Sequence, residues 1–386
     1  MDVVYQRREQ TAAKHYILRR YLQALAFKVL RHWEVTYVDG FSGPWKSNAE
    51  NFSDTSFMIA LEVLKDAQKV IFEQEGVRRK IRCFFSENNP EAYEQLRDAV
   101  APFHNPAEGF EVKTYCGAFA DAVAEIETFI GRSFPLIFID PTGWSGYPFE
   151  KIKPLFARPK VEVLINFMYD HVNRFVASED PEIIALFDQI LGGPGWRERL
   201  DPNLKRGPAV EKLFRQTLKS AGNFDFVVST KIDKSTIDRP HFFIVYGTKN
   251  PAGLKVFRDT EYGALKEHVK NRADAKERVR IEKEGTGDLF AGVEAKVQET
   301  TFEEIIADQM ALASEDLMTT ITEFGPVPFR QAVVNLQQAY MLRETNVKDI
   351  CCTLASSGLL EPNWIVGRQK KPQDDTILML RNGAAE

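Results

Sequence analysis

The sequence predicts a two-domain α/β protein, with a Rossmann-like sheet followed by a smaller C-terminal winged-helix domain. Three observations lead to this fold class. Short apolar runs of strand length alternate with segments of helical spacing over residues 35–246. Acidic or glycine residues follow the first four of these runs. Beyond residue 300, helical segments precede a short β-prone ending. Strands that alternate with helices indicate a parallel sheet covered by helices on both faces.

Seven short runs have the apolar or β-branched composition of strands. The run at 134–139 is uninterrupted and apolar, as expected for a strand buried on both faces of a parallel sheet. The predicted strands lie at 35–39, 81–85, 111–115, 134–139, 161–167, 225–229 and 241–246. The predicted helices between them lie at 55–67, 91–100, 119–130, 149–157, 181–191 and 210–221.

Residues with possible functions fall at the carboxyl ends of the first four strands, namely Asp39, Glu87, Gly117 and Asp140. In a parallel sheet these ends meet at one edge, where ligands bind. The late seventh strand, close to its predecessor, completes the seven-strand pattern of class I methyltransferases. That pattern implies S-adenosylmethionine as cofactor.

The first strand runs into a turn formed by Asp39, Gly40, Phe41, Ser42 and Gly43. The two glycines permit a sharp turn and a close approach of the backbone to a ligand. A pyrophosphate-binding turn needs a third glycine, which is absent, whereas a carboxylate suits the cationic S-adenosylmethionine. We expect this turn to hold the methionine end of the cofactor. A structural turn after a buried strand also uses Asp and Gly, so that interpretation stays open.

The next two strand ends supply the other predicted cofactor contacts. Glu87, with Asn88 beside it, is placed to accept hydrogen bonds from the ribose hydroxyls. Gly117 and Ala118 follow the third strand and leave room for the adenine ring.

The fourth strand ends in Asp140-Pro141-Thr142-Gly143, which resembles the Asp-Pro-Pro-Tyr signature of amino-methyltransferases. Such enzymes place a carboxylate and a main-chain carbonyl as acceptors for a base amino group, so Asp140 and Pro141 are the predicted catalytic residues. Trp144 stands next to the position of the aromatic residue and could stack on an extruded base. Alternatively, Asp140 caps the next helix and Trp144 shields the sheet edge.

Six stretches form a combination more specific than any one of them. They are 14–21, Tyr-Val-Asp-Gly-Phe-Ser-Gly-Pro at 37–44, Phe-Ile-Asp-Pro-Thr-Gly at 138–143, 166–167 with 173–175, Leu-Gly-Gly-Pro-Gly-Trp at 191–196, and 250–254 with 257–259. On these residues the chain resembles the three-Cys-motif partner proteins, a bacterial family with a methyltransferase-like domain and a winged-helix tail. The resemblance implies a protein partner with a three-cysteine, radical-type motif. Lys14 and Asn166 lie in these stretches and join Trp144 as predicted substrate-binding residues.

Composition narrows the class of protein. No run reaches the ~18 uncharged apolar residues of a membrane helix, and the N-terminus lacks an apolar secretion segment, so we expect a cytoplasmic protein that does not bind membranes. The four cysteines have no metal-ligand spacing, and no metal site is expected. The net charge of −5 argues against a wholly basic nucleic-acid sleeve, but local basic groups could contact a phosphate backbone. These groups are Lys205, Arg206, Lys231, Lys234, Arg239, Arg368, Lys370 and Lys371.

The predicted domains are 1–284, methyltransferase-like, and 300–386, winged helix, joined by a glycine-containing linker that begins at Glu284. Predicted helices at 302–312, 316–321, 329–339 and 346–356 precede a hairpin that ends in a strand at 376–381. The helix at 346–356 corresponds to a recognition helix and 368–371 to the wing. Winged helices bind either DNA or proteins, and the sequence leaves both open.

Two functions are compatible with these sequence features. The first is an S-adenosylmethionine-dependent methyltransferase that acts on an amino nitrogen of a nucleic-acid base together with the three-cysteine partner. The second is a catalytically inactive scaffold of the same fold that binds nucleic acid or the partner. An NAD-type oxidoreductase is disfavoured by the missing third glycine and by the absence of a Tyr-x-x-x-Lys motif.

Overall fold

The structure, a computed structural model, describes residues 5–43, 47–284 and 291–381, with backbone alone at 283–284 and 291–301. The chain divides into two compact units, Met1–Asn250 and Pro251–Glu386. The first unit contains a seven-stranded sheet in the order β3-β2-β1-β4-β5-β7-β6. Strand β7 is antiparallel to both its neighbours, and the remaining pairs are parallel. The sheet is therefore mostly parallel, as the sequence predicts for a Rossmann-like fold.

The strands follow the predicted runs closely. They are β1 Val35–Asp39, β2 Ile81–Glu87, β3 Phe110–Cys116, β4 Phe134–Ile139, β5 Glu162–Phe167, β6 Phe226–Asp233 and β7 Pro240–Thr248. The helices of this unit are α1 Glu9–Val29, α2 Ser56–Glu75, α3 Pro90–Val100, α4 Val123–Ile130, α5 Phe149–Phe156, α6 Tyr169–Phe175, α7 Pro181–Ile190 and α8 Arg206–Gly222. The predicted helix at 119–130 is shorter, since 119–121 form a 3-10 turn. Helix α6 is not among the predicted helices.

Apolar side chains cover both faces of the sheet because neighbouring strand residues point in opposite directions. On one face Tyr37 contacts Phe85 and Phe138, and Phe57 of α2 packs on Phe85. On the other face Val38 belongs to a core cluster that includes residues of α4, α5, α7 and α8. The helices therefore lie on both sides, as the sequence predicts, and the carboxyl ends of the parallel strands form one edge.

The second unit consists of α9 Pro251–Glu284, α10 Ala291–Phe324, α11 Phe329–Ala339, α12 Glu344–Ser356 and a two-stranded sheet of β8 Val327–Pro328 with β9 Ile377–Leu378. The sequence pattern predicts two separate helices at 302–312 and 316–321, but α10 is continuous. Its apolar stripe of Ala313, Leu317 and Ile321 is buried at a spacing of four residues, which holds the helix together past the predicted break.

Helix α9 packs within the second unit, whereas the predicted boundary places residues up to 284 in the first domain. The predicted linker begins at Glu284, which is the last residue of α9, and its remaining residues, 285–290, lie outside the described residues. The strand predicted at 376–381 is shorter, because β9 pairs with β8, and Leu360 forms a single bridge with Leu380. The winged-helix assignment of this unit stays a prediction.

Candidate active site

A cavity of about 360 Å³ opens at the carboxyl edge of the sheet. Its wall is formed by residues at the ends of β1, β4 and β5, by the start of β7 and by α1. The volume falls in the range of small-molecule sites. Six residues predicted to have functions line the cavity, namely Lys14, Phe41, Gly43, Asp140, Pro141 and Asn166.

Asp140 is held on both carboxylate oxygens. Lys14 Nζ lies 2.5 Å from Oδ2, and Asn166 Nδ2 donates to Oδ1 at 2.6 Å. Since the carboxylate can only accept, this bond fixes the orientation of the Asn166 amide. Three elements therefore converge on one carboxylate, and the structure brings together a predicted catalytic residue and two predicted substrate-binding residues.

Asp39 lies just behind this wall and is fully buried. Its carboxylate accepts hydrogen bonds from the Phe41 amide at 3.0 Å and from Ser56 Oγ at 2.7 Å. Burial raises the pKa of Asp39 to about 6, although these hydrogen bonds oppose the rise. Asp39 does not line the cavity, so the observed contacts make it the residue that fixes the turn and ties it to the start of α2.

The close approach at Gly40 is to the protein itself. A Cβ atom at this position would lie 2.8 Å from the Phe119 ring, so a side chain does not fit. The Gly40 amide also donates to the Phe138 carbonyl, which joins the turn to β4. In this structure, therefore, Gly40 is required for packing against Phe119.

The predicted ribose and adenine contacts lie outside the cavity. Glu87 is 2% exposed and accepts bonds from the amides of Asn88, Asn89 and Gly43. Burial raises its pKa, against the effect of these amides. Gly117 and Ala118 follow β3 and are half-buried. In the described conformation, the Glu87 carboxylate organises the backbone around the turn at 39–43, and the structure does not place it, Gly117 or Ala118 beside Asp140.

Trp144 packs into the core instead of lining the cavity. It is 9% exposed and stacks on Phe187 with ring centroids 4.3 Å apart, and on Phe175 at 6.3 Å. Stacking on a base would require the indole to leave both rings. The structure thus favours the alternative in which Trp144 shields the sheet edge.

Several cavity residues are not indicated by any sequence pattern. Arg8 Nη1 forms an ion pair with Asp54 Oδ2 at 2.7 Å, and both residues line the cavity. Burial alone would raise the pKa of Asp54, but hydrogen bonds from the Asn48 amide, Ser47 and Arg8 outweigh it and lower the pKa. The two partners are 46 residues apart in the sequence, so no local sequence pattern predicts the ion pair.

Two histidines also line the cavity. His15 is buried and shares a 3.0 Å hydrogen bond with the Tyr5 hydroxyl, and burial lowers its pKa well below its ordinary value. His241, at the start of β7, is half-buried. Burial, and then the charge of Lys234, lower the pKa of His241. Both imidazoles are therefore neutral at pH 7, and the cavity carries its positive charge on Arg8 and Lys14.

The residues present fit S-adenosylmethionine in part. Phe41 offers an aromatic face, while Thr55 and Ser56 open helix α2, whose free amides suit a carboxylate. Asp140 is an acceptor on the same wall. Glu87, the predicted ribose acceptor, is engaged by backbone amides, one of them from Gly43. The residues on the cavity wall would suit the methionine half of the cofactor, whereas Glu87 does not line the cavity in this conformation.

Among the described residues, no group of three or more His, Cys, Asp or Glu side chains is arranged to hold a metal ion. Nor does this part of the chain contain a helix long and apolar enough to cross a membrane.

Comparisons with known proteins give little similarity. No protein-family model matches the chain, and neither does any curated protein. Among solved structures, the chain is similar to loganic acid methyltransferase with SAH, at 9% sequence identity and a TM-score of 0.30. The match covers 78% of this chain and 90% of the other. A likeness at this level does not bear on the activity or on the site.

Proposed function

We propose that the protein is an S-adenosylmethionine-dependent methyltransferase that acts on an amino nitrogen of a nucleic-acid base. The observation that carries the proposal is the position of Asp140-Pro141. This pair follows β4 at the carboxyl edge and lines a cavity large enough for a small molecule, with the carboxylate held in place by Lys14 and Asn166.

Methyl transfer to a base amino group requires hydrogen-bond acceptors beside that group. The lone pair of a base amino group is delocalised into the ring, so the nitrogen is a poor nucleophile. Asp140 and the main-chain carbonyl of Pro141 accept hydrogen bonds from its two N–H groups and thereby localise the lone pair on the nitrogen. Each Asp140 oxygen still has a lone pair available after its bond to Lys14 or Asn166. Lys14 and Asn166 fix the carboxylate so that little reorganisation is needed when the amino group arrives.

The cofactor supplies an electrophilic methyl group on a sulfonium. Gly43 with Thr55 and Ser56 would hold its methionine end, and Phe41 would cover it from the cavity wall. Glu87 and Asn88, with Gly117 and Ala118, are the residues proposed for its nucleoside end. The proton lost from the methylated amino group passes to Asp140 or to water.

The resemblance to the three-Cys-motif partner proteins motivates the remaining part of the proposal. It implies a bacterial, cytoplasmic protein that works with a radical-type partner and uses its second unit, as a winged helix, for recognition of nucleic acid or of that partner. This unit contains helix α12 and the exposed basic residues Arg368, Lys370 and Lys371, which suit a nucleic-acid contact.

A catalytically inactive scaffold is the second candidate, and three observations favour it. Asp140 is already engaged by a lysine ammonium, and Trp144 is packed in the core where it cannot stack on a base. Thr142, in place of the second proline of the signature, is exposed beside them. In this case the protein binds its ligands without methyl transfer.

A radiolabelled methyl-transfer assay on DNA, RNA and protein pools separates the two candidates. Asp140→Asn keeps the size of the side chain and one acceptor, so we expect transfer to fall by roughly a hundredfold or more while the fold survives. Transfer to nucleic acid that is lost in the variant supports the enzyme. Equal transfer by both proteins rejects the role of Asp140, and no transfer by either favours the scaffold.

A further inference from the structure

A cluster of basic side chains lies beside the cavity mouth and has no role in the chemistry above. It comes from two places in the chain, the start of α8 and the hairpin formed by the end of β6 and the turn that leads to β7. The cluster consists of Lys205, Arg206, Lys231, Lys234 and Arg239. We refer to these five residues as the basic rim.

The start of α8 packs directly against Tyr169, the residue that follows Met168 of the cavity wall. Gly207 lies so close to Tyr169 that a Cβ atom there would be 1.6 Å from the phenolic oxygen. Tyr169 opens α6 one residue after Met168, which lines the cavity. Burial raises the pKa of Tyr169, and the positive charges of Arg206 and Arg239 oppose that rise. Both guanidinium groups therefore lie near the Tyr169 ring.

The β6–β7 hairpin is held at the same place. Asp170, which is 5% exposed, accepts from Arg239 Nη2 at 2.6 Å and pairs with Lys234 Nζ at 2.7 Å. Ser235 Oγ donates to Gln10 Oε1 at 2.5 Å, and Gln10 lines the cavity. The hairpin thus spans from α6 to α1 along the edge of the cavity.

The charge of the rim is unbalanced. Three carboxylates lie among the five cations, Asp170 of α6 and Asp233 and Asp238 of the β6–β7 segment, which leaves an excess of two positive charges in a chain whose net charge is −5. Lys205 and Arg206 are exposed, and the described part of the chain supplies no ion-pair partner for either. The Arg239 side chain is 52% exposed, and its single bond to Asp170 leaves further N–H donors directed to solvent.

We propose that the basic rim binds the phosphodiester backbone of a nucleic acid, next to the nucleotide whose base enters the cavity. This inference rests on the proposed function for the choice of substrate, but it concerns a separate surface. A planar guanidinium forms paired hydrogen bonds with phosphate oxygens, and a local positive excess on an acidic protein directs a polyanion to that surface. Contacts with phosphates position the strand, while the cavity selects the base.

The test measures binding of fluorescein-labelled single-stranded DNA and RNA oligonucleotides by anisotropy, without cofactor, over a series of salt concentrations. The variant is Lys205→Gln/Arg206→Gln, which removes two exposed charges and no observed ion pair. The matched control is Lys219→Gln, which neutralises an exposed lysine in the last turn of α8. We expect the double variant to weaken binding roughly tenfold and to reduce the slope of log K against log salt by about 1.4, while the control matches the wild type.

Equal affinity and equal salt slope in the double variant and the wild type would overturn the proposal, as would failure of the wild type to bind either oligonucleotide. The DNA and RNA arms show which backbone is preferred. Because no cofactor is present, the result is independent of methyl transfer. Oligonucleotide binding that depends on the rim, in a protein without transferase activity, would support the rim proposal and contradict the methyltransferase proposal. Cofactor binding without oligonucleotide binding would contradict the rim proposal and support the methyltransferase proposal.

Discussion

The Lys14 ammonium lies 2.5 Å from Asp140 Oδ2, and the two side chains are only 14% and 13% exposed. This contact joins helix α1 to the end of β4 across 126 residues of sequence. It fixes the carboxylate at the cavity wall and closes the cavity on the α1 side. Asp140 is therefore both a structural link and the proposed acceptor for the substrate amino group.

A double-mutant cycle with Lys14→Met and Asp140→Asn measures this link. Since both groups are largely removed from water, we expect a coupling energy of about 1 to 3 kcal/mol in urea unfolding, above that of an exposed pair. The control cycle uses Lys153 and Glu150, an exposed pair at 2.6 Å, for which we expect ~0.3 to 0.5 kcal/mol, as is typical of helix pairs. Equal coupling in both cycles would contradict the structural role.

Asp39→Asn tests the buried carboxylate through the pH dependence of stability. The pKa of Asp39 is raised from 3.8 to about 6 in the folded protein, so its stabilising contribution is fully present below about pH 4 and is lost as the pH rises through 6. We expect the free energy of unfolding of the wild type, relative to Asp39→Asn, to fall by about 2 to 2.5 kcal/mol between pH 4 and pH 7. The exposed Asp66→Asn serves as the control. A difference that stays constant with pH would show that Asp39 is not perturbed.

Gly40→Ala tests the packing of the turn. The new methyl group would meet the Phe119 ring at 2.8 Å, so we expect destabilisation by about 1 to 3 kcal/mol, partly restored when Phe119→Leu is added. Gly143→Ala is the matched control because nothing lies within 4 Å of a Cβ atom there. Thermal unfolding of the four proteins is the measurement. A stable Gly40→Ala protein that has lost cofactor affinity would instead place a ligand at the turn.

Trp144→Ala and Trp144→Phe separate core packing from stacking on a substrate. If the indole is a core residue, the alanine variant loses about 3 to 5 kcal/mol of stability, while the phenylalanine variant retains most of it. Both effects are read from denaturant unfolding. A stable alanine variant with a selective loss of nucleic-acid binding would return Trp144 to the substrate site.

The sequence predicts the sheet well because its signals are local. Strand β4 matches the predicted run from end to end, since a fully buried parallel strand is uniformly apolar. The antiparallel pairing of β7 and the continuity of α10 depend on contacts distant in sequence, and the pattern alone does not determine them.

The site is predictable only in part for the same reason. The residue type at a strand end locates Asp140, and the family resemblance indicates Asn166, but neither gives the direction in which a neighbouring side chain points. Trp144 turns into the core because Phe187, on α7, provides an aromatic surface there. The pairing of Arg8 with Asp54 and the placement of His241 require the folded chain, so no sequence pattern could have assigned them to the cavity.

The methyltransferase assignment depends on cofactor binding. A calorimetric titration of the purified full-length protein with S-adenosylmethionine measures this binding. The same titration is carried out with Thr55→Val and with Asp66→Asn, a remote exposed control. Thr55 caps α2 and lines the cavity, so its replacement should weaken binding, and loss of one hydrogen bond corresponds to about 0.5 to 1.5 kcal/mol. We predict one site per chain in the wild type and in the control, with lower affinity in Thr55→Val. No heat of binding from the folded wild type would refute the assignment.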